Sequence, residues 1–188
     1  MASPATTTTS QALLLLLLVA LTAGETGAAT FYVTNLCNDT VWPAAIPAAG
    51  CGGARLDPGQ TWRVPMPAGG ATAGGRIWAR TGCSFVGNNG TCSAGDCAGA
   101  MCCTLSGKPP ATLAEFTIGG GAAEDFYDVS VVDGFNVPME FRCLTGGDAA
   151  IRCGDPGCAD AGRRPGEPKV RTCRGNSDYE VVFCPQPQ

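Results

Sequence analysis

The 188-residue sequence contains no histidine. That absence excludes Ser-His and Cys-His nucleophile pairs and any His-ligated metal centre. Charge is also scarce. Charged residues make up 15% of the chain, with 16 acidic against 12 basic, so the net charge is −4. A weakly acidic chain argues against nucleic-acid binding, which usually shows a basic patch. Long apolar runs are missing apart from Ala12–Ala23 (ALLLLLLVALTA), which is short for a bilayer span and is followed by the small residues Thr26-Gly27-Ala28. No Lys or Arg precedes that run, yet residues 1–28 read as a secretory signal peptide. Residues 29–188 are then a single exported domain with no transmembrane segment. Helix signals are scarce throughout.

Cysteine, glycine and proline are abundant. All twelve cysteines lie at or beyond Cys37, and an even number in an exported chain reads as a disulfide framework. The 27 Gly and 14 Pro are spread along the chain, which predicts short strands joined by many turns. Thr30–Leu36, Gln60–Val64, Arg76–Arg80 and Tyr179–Phe183 read as strands. Val41-Trp42 begins another that Pro43 and Pro47 confine to an edge or an ending. Arg76, Trp78 and Arg80 share one face of their strand, which reads as a solvated edge or as a partner for acids nearby. Cys83–Cys103 is loop-rich and must be held by bridges. Together these features predict an all-β sandwich or barrel with disulfide-tied loops. Two glycosylation sequons begin at Asn38 and Asn89.

Glu115–Met139 is the most informative stretch. Phe126–Val132 (FYDVSVV) is the strongest strand signal, being aromatic and β-branched almost throughout. Alternation puts Phe126, Asp128, Ser130 and Val132 on one face and Tyr127, Val129 and Val131 on the other. Asp128 therefore sits in the row of a strand. A carboxylate there must face solvent, find a partner or line a groove. With no histidine, carboxylates are the obvious agents of any chemistry. No constellation implies a cofactor or a metal.

Several segments together resemble the thaumatin-like, pathogenesis-related class 5 proteins of plants. They are ATFYVTN at Ala29–Asn35, TVWPA at Thr40–Ala44, GRIWARTGCSF at Gly75–Phe85, AGDC at Ala94–Cys97, PPATLAEFTIGGG at Pro109–Gly121, DFYDVSVVDGFNVPMEF at Asp125–Phe141 and YEVVFCP at Tyr179–Pro185. Asn88 and Ala94 depart from the family's cysteine-rich signature. The chain resembles the short cereal form, so the resemblance implies a thaumatin-like β-sandwich without the cysteine-rich second domain of long members. It implies bridges Cys37–Cys184, Cys83–Cys92, Cys97–Cys103, Cys143–Cys173 and Cys153–Cys158. Cys51 and Cys102 exceed the usual ten cysteines and are predicted to pair with each other.

The family's acidic cleft implies roles for Arg76, Glu115, Asp128 and Asp133. The last aspartate of long members has no counterpart, so one wall of the cleft is expected to be missing. The function implied is that of a secreted, apoplastic, monomeric antifungal defence protein that binds fungal-wall β-1,3-glucan. If it were instead a weak endo-β-1,3-glucanase, Glu115 and Asp128 would be the carboxyl pair, with Glu115 the more natural acid. An open cleft weighs against hydrolysis. The other alternative is inhibition of a secreted microbial hydrolase such as xylanase, through the Ala44–Leu56 loop or the Thr145–Lys169 loop that bears Arg163-Arg164.

Overall fold

Twelve short strands, each bounded by turn residues, arrange themselves by which face carries apolar side chains. The computed structural model describes residues 29–67, 72–119, 124–175 and 177–186; the expected signal peptide, residues 1–28, lies outside the described residues. In chain order the strands are β1 (Thr30–Asn35), β2 (Trp42–Ile46), β3 (Thr61–Pro65), β4 (Thr72–Arg80), β5 (Ser84–Val86), β6 (Asn89–Thr91), β7 (Leu113–Ile118), β8 (Glu124–Ser130), β9 (Met139–Cys143), β10 (Ile151–Cys153), β11 (Arg171–Arg174) and β12 (Tyr179–Phe183). No helix occurs among the described residues. One five-stranded sheet has the order β10-β9-β12-β1-β3, the other β11-β8-β7-β4-β2, and β5-β6 is a separate hairpin.

The two sheets pack face to face over an aromatic centre. Phe31, Phe141 and Tyr179 come from the first sheet, and Phe116 and Tyr127 from the second. The Phe31 ring lies 4.4 Å from Phe116 and 4.9 Å from Tyr179, and Tyr127 lies 4.9 Å from Phe141. All five rings are nearly or fully buried. Burying one such side chain stabilises a fold by about 2–3 kcal/mol before ordering costs. Asp125 is buried on the same inner side. It is tolerated because Tyr179 Oη and the Gly119 N–H donate to its two carboxylate oxygens at 2.9 and 3.1 Å. The Tyr179 contact ties β8 to β12 across the sandwich.

The expectation of a solvated edge at Arg76–Arg80 needs correction. β4 lies between β7 and β2, and β2 is the edge, continuing through Pro43 to Ile46. Trp78 and Arg80 are fully buried because the Cys83–Cys103 segment folds over them. Trp78 Nε1 donates to the Gly95 carbonyl at 2.8 Å, and a Cβ on Gly107 would meet that indole nitrogen at 2.4 Å. Arg80 donates to the carbonyls of Trp42, Ala100, Met101 and Pro43 at 2.6–3.3 Å. Burial pulls its pKa down to about 10, and Asp96 partly opposes this. A small second core of Ala44, Trp78, Cys97, Cys103, Ala111 and Leu113 results.

Six disulfides hold the loops. They join Cys37 to Cys184, Cys51 to Cys102, Cys83 to Cys92, Cys97 to Cys103, Cys143 to Cys173, and Cys153 to Cys158. The first spans 147 residues and staples the ends of β1 and β12, which already run side by side in parallel.

Candidate functional site

Cross-strand register assembles the site. In the second sheet Arg76 on β4 lies opposite Glu115 on β7, and Glu115 lies opposite Asp128 on β8. One row across three strands therefore presents a guanidinium and two carboxyls on the outer face. Directly opposed side chains have Cβ atoms about 5 Å apart, and like charges so placed repel. The register itself follows from the inner face, since a one-residue slip would bury Glu115 and expose Phe116.

The three groups are unequally provided for. Arg76 reaches Glu115 at 3.8 Å and donates to Ser106 Oγ at 3.1 Å, while its Nε has no hydrogen-bond partner among the described residues. Asp128 is only 8% exposed, and its Oδ2 is likewise unpartnered. Burial, and secondarily the neighbouring Glu115 charge, push the Asp128 carboxyl up to about 6. The sequence favoured Glu115 as the more natural acid, but the carboxyl displaced toward the protonated form is Asp128. It lies deeper in the row.

The row floors a cleft of about 400 Å³. Leu113, Ser130, Val132 and Asp133 complete one side. Asp133 sits in the turn after β8, where its backbone carbonyl accepts from the Ala111 N–H at 3.0 Å. The opposite side comes from Gly162, Arg164, Pro165, Gly166 and Pro168. The cleft thus has a wall where the sequence reading anticipated none. Gly162 attaches that wall to the end of β8, donating to the Val129 carbonyl at 2.8 Å and accepting from the Val131 N–H at 2.9 Å. A Cβ at Gly162 would lie 3.4 Å from the Glu167 carbonyl oxygen and 3.9 Å from Asp128 Oδ2. The segment and the carboxyl are packed that closely.

All four expected cleft residues, Arg76, Glu115, Asp128 and Asp133, line this one cleft. Phe126, two residues before Asp128 on the same face, is 43% exposed, whereas Tyr127 points into the core. Ser130 was legible on the Asp128 face by alternation, but Ser106 and the 162–168 wall were not legible as site components. Their contribution depends on loops folding back, which periodicity does not report. Asn38 and Asn89 are both exposed. Among the described residues no cluster of His, Cys, Asp or Glu could hold a metal ion, and no helix is long and apolar enough to cross a membrane.

Chemically, the cleft presents a guanidinium and two carboxyls in one row on paired strands, with the exposed Phe126 ring along the same strand as Asp128. That combination suits a neutral ligand rich in hydroxyls, each of which can both donate and accept.

Comparison with known proteins adds a lineage to this geometry. The Thaumatin family model matches residues 35–165. A thaumatin-like protein of Oryza sativa subsp. japonica is 54% identical over 187 residues, covering 98% of this chain and 100% of that protein. Pathogenesis-related protein 1C of Hordeum vulgare is 52% identical over 169 residues, covering 89% and 94% respectively. Among solved structures, the thaumatin-like xylanase inhibitor TLXI superposes with a TM-score of 0.65 at 35% identity, covering 82% of this chain and 99% of that one.

Proposed function

The chain belongs to the thaumatin family, and from that premise we propose that it is a secreted plant defence protein that binds microbial-wall β-1,3-glucan in the cleft of Arg76, Glu115, Asp128 and Asp133. Relatives named as pathogenesis-related proteins and a structural neighbour named as a xylanase inhibitor support the defence role. Six disulfides and the short apolar run Ala12–Ala23 near the start of the sequence support export. The observation that carries glycan binding is the row of Arg76, Glu115 and Asp128 on the floor of a cleft with room for sugar rings, in which Arg76 Nε and Asp128 Oδ2, on either side of Glu115, lack hydrogen-bond partners among the described residues. Phe126 offers a ring face along the same strand.

The reading is binding without cleavage. A glycosidase places two carboxyls on either side of the scissile bond. Glu115 and Asp128 are neighbours on adjacent strands of one sheet face, so both approach a sugar from the same side. The test is co-sedimentation with insoluble β-1,3-glucan, with cellulose and xylan as controls. Wild type pellets selectively with the glucan, and a folded Asp128→Asn variant stays in solution. Equal pelleting of both proteins, or of neither, would remove the cleft from the account.

A second reading is inhibition of a secreted microbial glycoside hydrolase. It is favoured by the likeness to the xylanase inhibitor TLXI, nearly all of whose chain is matched.

A further inference from the structure

The chain is net acidic, yet five cations, Arg163, Arg164, Lys169, Arg171 and Arg174, fall in a stretch whose one acid is Glu167. Residues 163–170 are all exposed. The tip is nevertheless built. Arg164-Pro165-Gly166-Glu167 is a turn closed by the Glu167 N–H donating to the Arg164 carbonyl at 3.2 Å, with Gly166 at φ 79°. Pro at the second position presets φ, and Gly at the third takes the positive φ that such a turn demands. Both feet are anchored. Gly162 is hydrogen-bonded twice to β8, and β11 pairs along β8. The Cys143–Cys173 and Cys153–Cys158 bridges tie the flanks. Among the described residues Arg164 is held only by Glu167 at 3.8 Å, a pair 78% and 67% exposed and therefore weak, and Arg163 donates to the Gly157 carbonyl at 3.5 Å on the exposed surface.

We propose that the 162–170 loop is the docking element by which this protein engages the carboxylate-lined substrate cleft of a secreted glycoside hydrolase, with Arg163 and Arg164 as the entering cations. This rests on the inhibitor reading given above. Charge complementarity selects the partner. A glycosidase cleft is concave and carries a pair of catalytic carboxyls, and guanidinium is the side chain whose planar fork matches carboxylate. Arg164 at the start of an exposed, hydrogen-bonded turn and Arg163 just before it suit a recessed acidic pair, whereas a polyanion strand would be tracked by cations spread along a groove. A loop already held in shape loses little freedom on docking.

The experiment measures inhibition of a secreted endo-xylanase, and direct binding to it by calorimetry, for the full disulfide-bonded protein. It compares wild type, Arg163→Glu/Arg164→Glu and the milder Arg163→Gln/Arg164→Gln. Thermal unfolding checks each variant, and polygalacturonate serves as a polyanion control. The expected result is inhibition competitive with xylan, weakened about tenfold or more by charge reversal and less by neutralisation, with unfolding temperature unchanged. Full inhibition by both variants would overturn the loop assignment while the inhibitor reading stands. No inhibition and no binding by wild type would overturn both. Loss of polygalacturonate binding with inhibition intact would make the loop a polyanion site and overturn the proposal.

Discussion

At the scale of single residues, Asp128 and Arg80 are the buried charged groups whose protonation burial shifts most clearly. The Asp128 carboxyl is raised from 3.8 to about 6 by burial and by Glu115. A raised acid binds its proton more tightly in the folded state. Its contribution to stability is therefore complete below pH 3.8 and is lost as pH rises through about 6. Asp128→Asn should flatten that dependence and leave the variant more stable than wild type at pH 7 by about 1–3 kcal/mol. Denaturant unfolding at pH 4, 5.5 and 7 checks it. A variant that is equally or less stable at pH 7 would mean that the carboxyl is well satisfied and has no binding capacity in reserve.

Arg80 behaves oppositely. Arg80→Met should destabilise the fold by about 3 kcal/mol or more, because several buried carbonyls lose their donor together. Denaturation with the disulfides intact reads this directly. The sequence placed Asp128 correctly in a strand row, since alternation within one strand is local information. It could not place Arg80, because whether a row faces water depends on where the distant Cys83–Cys103 segment lands.

At the scale of elements, β8 is the organising strand. Its inner face carries Asp125, Tyr127 and Val129 into the core, and its outer face carries Asp128 and Ser130 into the cleft, with Phe126 exposed on the same face beyond it. The apolar alternation of Phe126–Val132 located it to within two residues at either end. The wall opposite was not legible. Gly162 and its neighbours have no strand pattern, and they join β8 through one isolated parallel bridge, Ser130 to Gly162. The Cys153–Cys158 bridge lies just before that wall. Replacing both cysteines with serine should cost about 2 kcal/mol and should speed amide exchange in 154–168 while the strands of both sheets stay protected. Hydrogen exchange by mass spectrometry decides this. Uniformly faster exchange would show that the wall and the sandwich unfold as one unit.

At the scale of the whole molecule, two sheets closed over aromatic rings supply a rigid base, and the disulfides fix the loops that a chain rich in Gly and Pro would leave loose. The proposed glycan cleft and the basic loop then share one rim, since Arg164 lines the cleft and also opens the hydrogen-bonded turn of the 162–170 loop. The outer face of the other sheet is built differently. There Glu140 is held by Arg152 at 2.6 Å and Arg142 by Glu180 at 2.5 Å, so these four charges are already paired with one another. The most direct measurement is a titration of the isotope-labelled protein with a soluble β-1,3-gluco-oligosaccharide, followed by amide chemical shifts. The account predicts that the shifts concentrate at Arg76, Glu115, Phe126, Asp128, Ser130 and Gly162, with Glu140, Arg142 and Arg152 unmoved. Shifts confined to the Glu140 face, or no shifts at millimolar sugar, would contradict it.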